Sequence, residues 1–206
     1  MRWALATFAV LAAIACSAGA ASATVLCKEA PNGKGECPKG KMYEVGQNFK
    51  FAAGHNQFTG SGMFCEASET QIELLSTGGA AETVKARVLN WTFSTCSVNE
   101  FPCQVTTKNL PYFAEFHWTA GGNGTLTEKS EVNGDPVVNF VCGFGYCLFE
   151  TPLTLSFIGE NPASLRAEKA VLKLKEKGGF LSCPEVDPWD ATLVAKTPTG
   201  AWLAKE

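Results

Sequence analysis

Eight cysteines spread from Cys27 to Cys183 constrain this chain more than any other feature of its 206 residues. An even set in an oxidising compartment reads as four disulfides. The N-terminus points to such a compartment. Met1-Arg2 forms a short basic start, Trp3 to Ala15 is an apolar stretch of 13 residues, and Ala21-Ser22-Ala23 is a small-x-small cleavage site. The apolar run is too short to cross a bilayer, and no later stretch approaches the ~20 apolar residues of a spanning helix. Residues 1–23 are therefore expected to be a signal peptide, with release of a chain that starts at Thr24. A rival reading makes Ala13-Ile14-Ala15-Cys16 a lipobox and Cys16 a lipid-bearing N-terminus. The usual leucine three places before the cysteine is missing, which favours secreted or envelope-associated release over a lipoprotein.

Many connectivities are open to Cys27, Cys37, Cys65, Cys96, Cys103, Cys142, Cys147 and Cys183. Closeness in sequence favours Cys27–Cys37, Cys96–Cys103 and Cys142–Cys147, leaving Cys65–Cys183 as the long closure. Zinc is not expected: no CxxC occurs, and His55 and His117 lie far from any cysteine pair. No other metal or cofactor motif is present.

Charge and length narrow the class further. The formal net charge is −3, which argues against an electrostatic nucleic-acid footprint. Lys173, Lys175 and Lys177, interrupted by Glu176, read as a solvated strand face. Residues 24–40, rich in Lys, Gly and Pro, are expected to form an N-terminal extension pinned by the Cys27–Cys37 loop. Residues 41–206 are expected to form the main domain.

Along that domain the dominant pattern is two-residue alternation. Tyr112, Ala114, Phe116 and Trp118 line one face of a strand, and His117 lies on the other. Leu153, Leu155 and Phe157 alternate with Thr154, Ser156 and Ile158. Val84, Ala86 and Val88 change phase to Leu89, Trp91 and Phe93, as a β-bulge or a crossing between sheets requires. Turn signals at Gly78-Gly79, Gly121-Gly122-Asn123-Gly124, Asn133-Gly134-Asp135 and Gly178-Gly179 separate the runs. Residues 161–177 admit a helix capped at Asn161, but alternation of Ala170, Leu172 and Leu174 favours a strand. The expected fold is all-β: a disulfide-stapled antiparallel β-sandwich or barrel.

Asn90-Trp91-Thr92, Phe101-Pro102-Cys103, Asn109-Leu110-Pro111, Asn161-Pro162-Ala163, Leu181-Ser182-Cys183-Pro184, Trp189-Asp190-Ala191-Thr192 and Thr197-Pro198 carry a resemblance. Together with Cys96 they resemble exported, cysteine-bearing all-β proteins of unknown function from high-GC Gram-positive bacteria, the actinobacteria. The resemblance spans Phe49 to Leu203. It implies export and an all-β fold and brings no active site with it.

Catalytic signatures are missing. There is no G-x-S-x-G elbow, HExxH, P-loop or GxGxxG. His55, in Ala53-Gly54-His55-Asn56-Gln57, is a loop histidine without motif context, and His117 is a surface residue. Glu185, Asp187 and Asp190 beside Trp189 are the densest acids and could serve a sugar or calcium site, yet Pro184 and Pro188 favour a turn. Trp91, Trp118, Trp189 and Trp202 could form a platform, with core packing preferred. Asn90 and Asn123 sit in glycosylation sequons that matter only in a eukaryotic source. The expectation is a non-enzymatic protein that binds an extracellular or envelope ligand through the loops at 121–124 and 133–135. The alternatives are a secreted hydrolase with an unrecognised site and a small-molecule carrier with an apolar pocket.

Overall fold

A computed structural model describes residues 23–79, 82–129, 134–150, 153–179 and 181–206. Residues 1–22, including Cys16, lie outside the described residues, as does Asn133. No helix occurs among the described residues. The strands in chain order are β1 (Thr24–Cys27), β2 (Asn48–Ala53), β3 (Asn56–Phe58), β4 (Met63–Leu74), β5 (Val84–Val98), β6 (Phe101–Lys108) and β7 (Tyr112–Trp118). They continue as β8 (Gly124–Lys129), β9 (Val137–Cys142), β10 (Gly145–Glu150), β11 (Thr154–Ile158), β12 (Ser164–Gly178), β13 (Val186–Thr197) and β14 (Trp202–Lys205). The all-β, antiparallel, disulfide-stapled expectation holds.

Four long strands organise the molecule: β4 and β13 at 12 residues each, β5 and β12 at 15 each. β4 pairs with β5, and β12 with β13, along most of their lengths. Short strands fill the gaps between these staves. β2 and then β3 bridge β4 to β13. On the opposite layer, β7, β8 and β11 link the first half of β5 to the start of β12. β6, β9 and β10 link the second half of β5 to the end of β12. Hydrogen bonding thus closes two circuits that share β4, β5, β12 and β13, and every strand in them has a neighbour on each side. Closure removes the exposed edges on which sheets aggregate.

The phase change read in β5 is a bulge. Gln71 faces Asn90 and Ile72 faces Val88, so Leu89 is the extra residue. Val84, Ala86 and Val88 point inward before it, and Trp91 and Cys96 after it. That switch occurs where β5 changes its opposite-layer partner from β7 to β6. Tyr112 closes the seam between the two short-strand groups: its buried hydroxyl lies 2.6 Å from the Lys108 carbonyl and 3.2 Å from that of Val137. Residues 164–178 form β12, as their alternation predicts.

The interior is aromatic. Trp91 and Trp189 rings lie 5.2 Å apart, Phe58 packs 4.8 Å from Phe140, and Phe140 packs 5.1 Å from Phe149. One end of the barrel is capped by the β1–β14 ribbon, whose Leu26 and Leu203 join the core. Residues 24–40 are thus not a tether hung outside the fold. All of Thr24–Cys27 is buried, Thr24 Oγ1 accepts the Trp118 N–H, and Val25 bridges to Gly78. β1 leaves no alternation in the sequence, because a four-residue strand buried on both faces has no polar phase.

The disulfides require the main correction. Cys27–Cys37 is formed, but the others are Cys65–Cys96, Cys103–Cys142 and Cys147–Cys183. The expected Cys96–Cys103, Cys142–Cys147 and Cys65–Cys183 do not occur. Strand register decides the matter, not sequence separation. Cys65 faces Cys96 and Cys103 faces Cys142 with Cα separations of 4.0 and 4.4 Å. These are the close, non-hydrogen-bonded positions of an antiparallel ladder. A residue at a close position toward one neighbour sits at the wider, ~5.5 Å spacing toward the other. Cys96 and Cys103 face each other across that wider spacing. In the β9–β10 hairpin Cys142 faces Gly145, while Cys147 faces Phe140, so a Cys142–Cys147 bond is out of register.

Candidate functional site

The residues singled out by sequence fall into three places. His55 and Asp190 line one shallow groove of about 560 Å³, on the outer surface where β2 gives way to β3, together with Gly54, Gln57, Ala167, Glu168, Ala191 and Thr192. A register shift in β12 between Ala167 and Ala170 shapes its wall, and Lys169, at φ 54°, donates its N–H to Asp190 Oδ1 at 2.9 Å. The His55 ring rests 4.9 Å from that of Phe64. Among the described residues no cluster of three His, Cys, Asp or Glu side chains could hold a metal ion.

The acidic trio does not converge. Asp190 faces this groove, whereas Asp187 points into the barrel and is fully buried. Its Oδ1 accepts the N–H groups of Gly60 at 2.8 Å and Ser61 at 3.1 Å, fastening the 59–62 loop. Burial raises the Asp187 carboxyl above the usual carboxylate range, against the opposing pull of the Ser61 and Gly60 hydrogen bonds. Glu185 serves through its backbone, its carbonyl accepting from Leu174. His117 is a surface residue beside Glu115, at 3.6 Å.

The tryptophans form no common platform. Trp91 and Trp189 are core residues, and Trp118 and Trp202 are half-buried near the capped end. The 121–124 loop is committed to structure there. Asn123 Oδ1 accepts from Gly159, the Gly122 carbonyl accepts from Leu203, and a Cβ on Gly122 would meet the Trp202 ring at 2.8 Å. Of the 133–135 loop, Asp135 is tied in through its carbonyl, which accepts from Asn109 Nδ2.

The uncapped end carries the feature that sequence reasoning missed. Four connections converge there: 59–62, 99–100, 143–144 and the described residues 181–185. Phe101 is 74 % exposed and Phe144 is 94 % exposed. Val98 faces Phe101 and Cys142 faces Gly145, so Phe144 sits in a two-residue hairpin turn and Phe101 directly follows one. Positive φ at Asn99, Glu100 and Gly143 makes these turns. The register of β6 against β9, with Cys103 facing Cys142, sets the two tips side by side. The Cys103–Cys142 bond lies two residues behind each ring. Beside Phe144, a groove of about 460 Å³ is lined by Val141, Tyr146 and Leu148 and by polar Lys108, Asn139 and Glu176. Behind the tips, Met63, Val98, Phe140 and Leu181 line a cavity of about 190 Å³. The available signal was Gly143-Phe144-Gly145: a large apolar residue between glycines has no strand in which to bury itself.

No family model, curated protein or solved structure matches the chain.

Proposed function

We propose that this is an exported, non-enzymatic protein that acts outside the cell or at its envelope by surface binding, with its contact surface at the uncapped end. The observation that carries this reading is the pair of exposed phenylalanines on adjacent, disulfide-locked tips. Large apolar side chains presented to solvent mark interaction sites, and a rigid scaffold under short loops is a common arrangement for recognition. Four disulfides fit an oxidising compartment. No helix among the described residues is long and apolar enough to cross a membrane. The grooves of about 560 and 460 Å³ are open to solvent and the space behind the tips is only about 190 Å³, unlike the enclosed apolar pocket of a carrier.

The test is co-sedimentation of the purified protein with cell envelopes of its native host. Phe101→Ser/Phe144→Ser should weaken binding about tenfold or more, since each ring contributes roughly 1.5–3 kcal/mol when buried. Unchanged binding by the double variant would overturn the assignment of the surface.

The hydrolase reading draws on one observation: the structure brings His55, Glu168 and Asp190 to the same open groove. A screen with esterase, glycosidase and peptidase substrates discriminates between the two. Turnover lost in His55→Ala or Asp190→Ala would make the groove the functional site.

A further inference from the structure

Four of the disulfide-bonded cysteines stand in a line across the sheet. Cys65 on β4 faces Cys96 on β5, Cys96 faces Cys103 on β6, and Cys103 faces Cys142 on β9. Facing residues of antiparallel strands share a sheet face, with Cβ atoms about 4.5–5.5 Å apart. Cys65 and Cys96 belong to the core cluster, and Cys103 and Cys142 pack against it. An irregularity in β5 completes the row. Its register against β6 shifts between Thr92 and Cys96, with Thr95 at φ 50°. Continued from Thr92 and Thr106, the register would instead put Thr95 opposite Cys103. The two bonds differ in access: Cys65 and Cys96 are buried, while Cys103 and Cys142 are half-buried.

Thiol–disulfide exchange proceeds by attack of a thiolate on one sulfur of a disulfide, with the other sulfur departing. The displacement runs fastest when the three sulfurs lie near a line. The register places Cys103 and Cys65 on opposite sides of Cys96, the order that such a displacement needs. We propose that the row is an exchange site for a small-molecule thiol, in which opening of Cys103–Cys142 passes inward to Cys65–Cys96. The external thiolate attacks Cys142 Sγ; a mixed disulfide forms there, the Cys103–Cys142 bond breaks, and Cys103 leaves as a thiolate. Cys103 Sγ then attacks Cys96 Sγ. The Cys96–Cys103 bond forms, the Cys65–Cys96 bond breaks, and Cys65 leaves as a thiolate; its return to the thiol is balanced by the proton that the external thiol gave up. Two disulfides and one thiol become two disulfides and one thiol, with no net oxidation or reduction. The wider spacing between Cys96 and Cys103 makes the exchanged pairing the minor one at rest, and capture of Cys142 by the external thiol is what populates it.

Cys147–Cys183 and Cys27–Cys37 stand outside the row and act as internal controls. The folded protein is treated with one equivalent of reduced glutathione at mildly alkaline pH, where thiolate is present. It is then quenched with acid, alkylated and mapped as non-reduced peptides. The expected product carries glutathione on Cys142, a Cys96–Cys103 linkage and an alkylated Cys65, with both control bonds intact. Modification confined to Cys103 and Cys142 with Cys65–Cys96 unbroken would overturn the relay. Scrambling of the control bonds in the same molecules would overturn it too, because exchange would then follow unfolding. Cys142→Ser gives an independent reading, since it leaves Cys103 as a free thiol facing an intact bond. Acid-trapped alkylation should divide between Cys103 and Cys65, and labelling of Cys103 alone counts against the relay. If Cys142→Ser fails to fold, the glutathione experiment on the unmodified chain decides.

Discussion

Asp187 shows how one side chain can be structural and still carry a cost. Its Oδ1 satisfies two backbone N–H groups of the 59–62 loop, and Gly60 packs so closely that an added Cβ would meet the Val186 carbonyl at 2.6 Å. Oδ2 is buried without a hydrogen-bond partner among the described residues. The folded-state pKa lies above the ordinary 3.8 because burial penalises the charge. A raised pKa means that the folded state holds the proton more tightly than the unfolded one. The contribution of Asp187 to stability is therefore full below pH 3.8 and is lost as pH rises through the folded-state value. Asp187→Asn keeps the accepting oxygen and removes the charge. Its melting temperature relative to the parent should rise between pH 4 and pH 7, measured by thermal denaturation at both. Asp187→Ala removes the acceptor and should cost about 1–3 kcal/mol for each N–H left unsatisfied, so a neutral alanine variant would show that water replaces the carboxylate freely.

At the scale of elements, alternation identified β5, β7, β11 and β12 and turned on a single bulge in β5. It read 161–177 as a strand against a competing helix signal, because Ala170, Leu172 and Leu174 alternate with Val171, Lys173 and Lys175. Pairing was harder to read. Cys96 and Cys103 do face each other, as their short separation suggests, yet each bonds to its other neighbour because the close position of the ladder lies on that side. Nothing in a linear sequence marks which side of a strand carries its hydrogen bonds. The candidate site was obscured for a related reason: Phe101 and Phe144 are far apart in sequence and become neighbours only through the register of β6 and β9. β1 escaped because it has no exposed face to create a pattern. Its weight in the fold is measurable. Leu26→Ala should destabilise the protein by about 2–5 kcal/mol, the range for a buried leucine. A denaturant midpoint equal to that of the parent would make β1 the dispensable tether that its composition suggests.

For the whole molecule, the decisive property is that its two hydrogen-bonded circuits use the same four staves. The pairings are long-range in sequence, such as β12 with β10 and β13 with β2, and such topologies fold slowly. Three of the disulfides, spanning 31, 39 and 36 residues, restrict the unfolded chain. Replacing Cys147 and Cys183 together by alanine should cost about 2–4 kcal/mol. Unfolding should nevertheless remain a single transition, with calorimetric and van't Hoff enthalpies equal; two separated transitions would mean that the circuits are independent domains. Shared staves also dictate where sequence can drift. A substitution in β8 or β9 disturbs one compartment, whereas one in β5 or β12 is read twice, by different neighbours on successive stretches of the same strand. Tolerance to change in this protein should accordingly follow strand sharing more closely than depth of burial, with the long strands the most restricted even at their solvent-facing positions.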